Sequence, residues 1–312
     1  MGKVAWLFPG QGSQSVGMGR DILEASKAAR DVVAAADAAL GESLSKMILE
    51  GPEETLTLTA NTQPAIVTMS VATLAAIREC VPGIALPSFA AGHSLGEYSA
   101  LVASNALNLA DAVRLVRARG KAMQEAVPAG MGAMSAVMGL ERSKVEEICA
   151  EASGDEVVSP ANFNAPGQIV IAGNAAAVAR ANELVAAAKG KAIPLKVSAP
   201  FHCALMAPAA RVVESEFAKV TVGSFAFPIV ANVDAKPNVD PTRVKDLLVR
   251  QVDGAVRWED SIALMHREGV THALEIGPGK VLAGLVRRIA KDLKVLSVCD
   301  KAALDQVASF LA

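Results

Sequence analysis

The segment Gly92-His93-Ser94-Leu95-Gly96 fits G-x-S-x-G, the pattern of a nucleophile elbow. A strand must turn sharply into a helix for a serine hydroxyl to stand clear of a sheet. The residues two before and two after the serine then crowd each other unless they are small. The helix that follows points its N-terminus at the hydroxyl and stabilises negative charge developing there. Roughly one chain in ten of this length carries the pattern by chance, so its surroundings matter. Here a short apolar stretch, Ser88 to Ala91, precedes it and an Ala/Leu-rich stretch follows. Both are what an elbow requires, and Ser94 is read as a nucleophile.

A serine hydroxyl needs a general base, most often histidine. Of the four histidines, His93 adjoins the serine on a turn that points neighbours apart. His266 falls in an amphipathic helical stretch and reads as a surface residue. His272 stands just before a strand and reads as structural. His202 follows a strand and the break at Pro200, where α/β sites gather. It comes 108 residues after Ser94, in the serine-then-histidine order of α/β hydrolases. Glu183 is the only acid between Phe163 and His202, and it lies in mid-helix. The group that orients the histidine is therefore a carboxylate from elsewhere or a backbone carbonyl.

Arg119 breaks the pattern of its helix. Over 108–127, Ala112, Leu115, Val116, Ala122, Met123 and Ala126 fall on one face at helical spacing. Arg114, Arg117 and Lys121 fall opposite, as solvated charges. Arg119 lies inside the apolar stripe. A guanidinium keeps its proton, so burying it without an anion is costly. An internal salt bridge is one reading; a clamp for a substrate carboxylate is the other, because the arginine fork matches a carboxylate with two parallel hydrogen bonds.

The elements that must hold these residues read as two units. Val4 to Phe8 is a buried strand ended by Pro9-Gly10, and Ala65 to Glu79 a helix apolar nearly all round. From Met134 onward the order changes to strand, helix, strand, strand, helix, strand, closing with a strand over Ala192 to Ser198. That order is ferredoxin-like. The predicted fold is α/β: an α/β-hydrolase-like large domain with a parallel sheet (1–129 and 199–312) and an inserted small ferredoxin-like domain (130–198). Ile229 to Asn232, a helix over Pro241 to Gln251, a strand Ala273 to Ile276 and a helix from Lys280 complete the large domain.

Composition bounds the rest. Of the 312 residues, 52% are hydrophobic and 4% aromatic, with Ala, Val and Leu suiting helices packed on a parallel sheet. A formal net charge of −2 argues against nucleic acid as the main ligand. The four cysteines show no C-x-x-C spacing, so no zinc or redox motif is visible. No apolar run approaches the length of a membrane span or a signal peptide, and a cytoplasmic protein is expected.

Taken together, Phe8-Pro9-Gly10-Gln11-Gly12-Ser13-Gln14, the elbow with Glu97-Tyr98, Arg119-Gly120-Lys121, Ser159 to Gln168, Phe201-His202-Cys203 and Gly277-Pro278-Gly279-Lys280 resemble the malonyl-CoA:acyl carrier protein transacylase family. The resemblance runs from the first strand to near the C-terminus. Each motif alone is weak or moderate; their joint order is highly specific. It implies malonyl transfer from coenzyme A to a carrier phosphopantetheine thiol, in fatty acid or polyketide biosynthesis. In that scheme Ser94 carries the malonyl ester and His202 is general base and then acid. The N–H groups of Gln11 and Leu95 form an oxyanion hole, and Arg119 holds the malonyl carboxylate. Gln251 matches the position whose backbone carbonyl orients the histidine. Asn162 matches a residue lining the family's active site. Phe201 before the histidine goes with malonyl, as serine there goes with methylmalonyl. No metal or redox cofactor is implied. The expected partners are a coenzyme A thioester and an acidic acyl carrier protein, faced by basic residues among Lys189, Lys191, Lys280, Arg287 and Arg288. The protein is expected to be a monomer. The alternatives are a serine hydrolase or thioesterase, or an acyltransferase for another acyl-CoA such as methylmalonyl-CoA.

Overall fold

A computed structural model of the chain describes residues 2–197 and 199–312. In chain order the strands are β1 (Lys3–Phe8), β2 (Phe89–Gly92), β3 (Gly132–Met138), β4 (Val158–Ala165), β5 (Gln168–Asn174), β6 (Lys191–Pro194), β7 (Ile229–Val230), β8 (Pro237–Asn238), β9 (Val270–Ile276) and β10 (Lys294–Val298). They form two sheets.

The larger sheet has the order β10-β9-β1-β2-β7-β8, parallel from β10 to β7 with β8 antiparallel at the edge. Its central strands are buried on both faces: Ala5 to Phe8 are at most 1% exposed, as expected when helices cover both sides. Phe8 pairs with Gly92. The loops after β1 and β2, carrying Gln11 and Ser94, therefore leave the sheet side by side at its carboxyl edge, where such folds bind ligands.

The smaller sheet is antiparallel, β4-β5-β3-β6, with helices Arg142–Ser153 and Ala175–Ala187 on one face. Those helices and strands enclose their own core of Val137, Ile148, Ile169, Ile171, Val178 and Val185. The strand order is that of the predicted ferredoxin-like unit. Phe163 N–H donates to Val256 O at 2.9 Å and Val256 N–H to Ala161 O at 2.9 Å. These bonds tie β4 to the larger sheet's side of the molecule.

Several boundaries differ from those read in the sequence. The last strand of the small sheet ends at Pro194; Leu195 still donates to Met134 O at 2.9 Å, but Leu195 to Val197 then curl onto the cleft. Ser198, where the sequence reading ended that strand, lies outside the described residues. The apolar helix begins at Thr59, a turn and a half before Ala65, and runs to Cys80. It passes through Pro64, which sits in the second turn. The strand ending at Ile276 begins at Val270, so His272 is inside it, its ring edge-on to Phe310 at 5.4 Å. β7 stops at Val230 rather than Asn232, because Asn232 turns toward the serine loop. β10 has no counterpart in the sequence reading.

Candidate active site

β2 ends at Gly92 and the helix Gly96–Ala103 begins two residues after Ser94. Ser94 takes φ +51°, the left-handed region that non-glycine residues avoid. A Cβ on Gly92 would lie 1.9 Å from the Gly96 carbonyl, and a Cβ on Gly96 2.3 Å from Phe8 O. Both glycines are therefore steric conditions of the elbow. We expect Gly92→Ala to lower the melting temperature and to reduce acyl-serine formation by at least about tenfold. Thermal denaturation and a single-turnover acylation assay on the same sample measure both.

Asn232 braces the turn from both ends. Its Oδ1 accepts from Ser94 N–H at 2.7 Å and its Nδ2 donates to Gly92 O at 2.8 Å. Its own N–H donates to Glu97 Oε2 at 3.1 Å. A left-handed serine persists only where its surroundings over-determine it, and Asn232 supplies two of the constraints.

His202 is 4% exposed and meets Ser94 directly: Oγ to Nε2 is 2.8 Å. Its Nδ1 is 2.8 Å from the backbone oxygen of Gln251. Of the two orienting groups left open by the sequence, the carbonyl is the one in place. With Nδ1–H donating to that carbonyl, Nε2 is the free acceptor facing the hydroxyl. His202 itself takes φ +60°, a second non-glycine residue held left-handed at the same site. Of the other histidines, His93 is half-buried and also lines the cleft, its Nε2 2.9 Å from Asn164 Oδ1, while His266 pairs with Asp292 at 3.1 Å, away from the site.

Burial, and then the Arg119 charge, hold the His202 pKa down to about 3, against an ordinary 6.5. The imidazole is neutral at any physiological pH. Between these two values the unfolded chain takes up a proton that the folded chain does not. Stability from this group is therefore greatest above pH 6.5 and falls as the pH drops toward 3. In melting curves from pH 7 to 4, the wild type is expected to lose more stability than His202→Gln.

Arg119, in the helix Leu109–Glu125, is 1% exposed. Nη1 donates to Gln63 Oε1 at 2.7 Å; Nη2 donates to Gln251 Oε1 at 2.9 Å and to Ser94 Oγ at 3.0 Å. Its Nε–H has no partner among the described residues. The guanidinium also lies 5.8 Å from the Tyr98 ring centroid. Among the described residues it forms no ion pair, so the internal salt bridge considered from the sequence is absent. Arg114 and Lys121 on the opposite face are exposed as expected. Arg117 is not: it is half-buried, donating to Ala60 O at 2.7 Å and pairing with Asn61 and Glu42.

A cleft of about 1070 Å³ opens above these groups, and Gln11, Ser94, Arg119, Asn162, Phe201 and His202 line it. Leu95 and Gln251 lie behind its wall, 1% and 0% exposed. Gln11 lies on the cleft and Leu95 directly follows Ser94, at the start of the helix Gly96–Ala103. Gly10 belongs to that arrangement: a Cβ there would meet His93 O at 2.6 Å. Gly12 takes φ +97° with open space around it.

Three residues here have no site role in the sequence alone: Gln63, Asn232, there the end of a strand, and Glu97, there only part of the elbow motif. Gln63 stands in the turn of its helix that the sequence reading left out. Glu97, buried in the elbow helix, accepts from Gln251 Nε2 at 2.8 Å. Burial pushes its pKa up to about 7, against hydrogen bonds from Gln251 and Asn232 that lower it. Among the described residues no group of three or more His, Cys, Asp or Glu side chains could hold a metal ion. No helix among them is long and apolar enough to cross a membrane.

Known proteins share this sequence and fold. The family profile described as "Acyl transferase domain" matches residues 5–308. The malonyl CoA-acyl carrier protein transacylase of Salmonella typhimurium is 48% identical over 305 residues, covering 97% of this chain and 98% of that protein. The Bacillus subtilis protein of the same name is 46% identical over 302 residues, covering 96% and 94%. The crystal structure of an acyl carrier protein S-malonyltransferase from Vibrio cholerae superposes with a TM-score of 0.95 at 45% identity, covering 98% of this chain and 99% of that one. A malonyl-transacylase solved in complex with its type II PKS acyl-carrier protein gives a TM-score of 0.95 at 44% identity, covering 98% and 99%.

Proposed function

The chain belongs to the acyl transferase domain family, and on that premise we propose that it moves a malonyl group from malonyl-CoA to the phosphopantetheine thiol of an acyl carrier protein, through a malonyl ester on Ser94, in fatty acid or polyketide biosynthesis. One observation carries this reading. The Ser94 hydroxyl stands between a neutral base, His202 Nε2 at 2.8 Å, and a buried guanidinium without a counter-ion among the described residues, Arg119 Nη2 at 3.0 Å.

The steps follow from that geometry. His202 Nε2 takes the Oγ proton as Oγ adds to the thioester carbonyl. The new oxyanion lies against the N–H groups of Gln11 and Leu95 at the start of the helix Gly96–Ala103. The C–S bond then breaks, and the imidazolium returns its proton to the departing thiolate. The carrier thiol repeats the sequence in reverse. A carbonyl behind His202 suffices because a thiolate is a good leaving group. The imidazolium needs less support than it does before an amine. Arg119 holds the far carboxylate and fixes the acyl chain across the cleft.

Serine, histidine and N–H donors move every proton and charge in this cycle, so it calls for no metal or redox cofactor. All the groups come from one chain, in keeping with a monomer, and four free cysteines suit the reducing cytoplasm. Phe201, 8% exposed on the cleft wall, favours malonyl over methylmalonyl by leaving little room for a methyl branch. Of the basic residues expected to face the carrier, Arg288 is engaged by Gln168 Oε1 at 2.6 Å and Pro166 O at 3.1 Å, and Lys280 lies 3.9 Å from Asp300. Lys189, Lys191 and Arg287 remain for docking. Incubation with malonyl-CoA should raise the intact protein mass by one malonyl group, and a phosphopantetheinylated carrier should remove it. A protein active on some other acyl-CoA that acquires no malonyl adduct overturns the assignment, and release of the acyl group to water without a carrier favours a thioesterase.

A further inference from the structure

Arg119 is surrounded by groups that accept its hydrogen bonds without matching its charge. Gln63 Oε1 at 2.7 Å and Gln251 Oε1 at 2.9 Å are amide oxygens, and Ser94 Oγ is a hydroxyl. A carboxylate is nearby. Glu97 is 3% exposed and close enough for its charge and that of Arg119 to influence each other, but Gln251 lies between them. The Gln251 amide oxygen faces the guanidinium, and its Nε2 donates to Glu97 Oε2 at 2.8 Å and to Ser94 O at 2.9 Å. Gln63 is fixed in the same sense, its Nε2 resting on Met123 Sδ at 3.7 Å and its oxygen on Arg119. A buried arginine is ordinarily neutralised by an acid. This one is held rigid, with its Nε–H unpaired and no ion pair among the described residues.

We propose that Gln63 and the side chain of Gln251 determine acyl specificity, by fixing Arg119 through neutral amide oxygens and separating it from Glu97. The guanidinium then finds its counter-charge only in a substrate carboxylate. The inference rests on the malonyl-transfer reading above. It concerns a different job from that of the Gln251 backbone, whose carbonyl holds His202. An isosteric acid at position 63 would be a permanent counter-ion, and a substrate carboxylate would then meet a neutral pair beside a like charge.

The test compares acyl-enzyme formation from malonyl-CoA and acetyl-CoA in wild type, Gln63→Glu and Gln63→Met. Gln63→Glu is expected to lower the malonyl-to-acetyl ratio of kcat/KM by about 100-fold, with acetyl transfer retained. Gln63→Met, which removes the oxygen without adding charge, should change the ratio by less than about tenfold. A second pair guards against misfolding at position 63. Gln251→Ala keeps the backbone carbonyl but removes the spacer, and should lower the ratio; adding Glu97→Gln on that background should restore it. A Gln63→Glu enzyme with the wild-type ratio overturns the proposal, as does a Gln63→Met enzyme that loses as much, or a Gln251→Ala loss that Glu97→Gln leaves unrepaired. A wild type that selects malonyl in the same assay keeps the function standing whichever way the variants fall. A wild type that takes no malonyl removes both.

Discussion

Replacing Ser94 by alanine is expected to leave the protein unable to gain the malonyl mass from malonyl-CoA, and to lower carrier malonylation by about 10⁴-fold or more. The size follows from what Oγ does. In the proposed cycle it is the atom that forms the ester, and it stands 2.8 Å from His202 Nε2 and 3.0 Å from the Arg119 guanidinium. Alanine keeps the Cβ and can occupy the same backbone turn, braced by Asn232 at 2.7 Å on the residue's N–H. The fold is therefore expected to survive, with a melting temperature near that of the wild type, and the remaining cleft should still bind malonyl-CoA. Intact-protein mass spectrometry reads the adduct and isothermal titration reads the binding. His202→Ala should form the ester slowly rather than not at all, because the nucleophile and the oxyanion donors remain. A malonyl adduct on Ser94→Ala equal to that on the wild type would place the nucleophile elsewhere in the chain.

Much of this site could be read in the sequence because its chemistry is local. Gly92 and Gly96 announce the elbow, and they collide as the pattern implies, with a Cβ on Gly92 meeting Gly96 at 1.9 Å. Arg119 could be found because helical periodicity alone places it on the apolar face, where it is 1% exposed. His202 stands out by its place after a strand, and the lack of a nearby acid leaves room for a backbone carbonyl.

What escaped was made by tertiary contact. Asn232 meets Ser94 across 138 residues of chain, at the end of a two-residue strand too short to carry a period. Gln63 sits beside Pro64, which reads as a helix breaker, yet the helix runs through it and the Ala60 carbonyl four residues earlier accepts from Arg117 Nη1 at 2.7 Å instead. Glu97 was visible in its motif, but its burial depends on Asn232 and Gln251 arriving from elsewhere. Arg117 faces away from the apolar stripe, yet the loop carrying Glu42 and the turn at Ala60 cover it. In each case the local pattern is correct and a distant segment changes its meaning.

Arg119→Ala is the substitution expected to divide substrates most sharply. For malonyl-CoA, kcat/KM should fall by about 10²- to 10³-fold, the range for removing one partner of a buried charge pair. For acetyl-CoA, which offers no carboxylate, the fall should be at least tenfold smaller. Two effects contribute, and the ratio separates them. Removing the guanidinium leaves the amide oxygens of Gln63 and Gln251 without their donors and opens a cavity beside Tyr98, which lies 5.8 Å from the charge. That loss disturbs Ser94 and the fold for every substrate alike. The loss of the carboxylate's counter-charge affects malonyl alone. The burial of Arg119, 1% exposed beside Ser94 at 9% and His202 at 4%, makes the second effect large, because a charge there is screened far less than at the surface. Rates for the two acyl-CoAs on one enzyme preparation give the ratio directly. Equal losses for both would reduce Arg119 to a support for the Ser94 loop and leave the free carboxylate of the acyl group without a recognising residue.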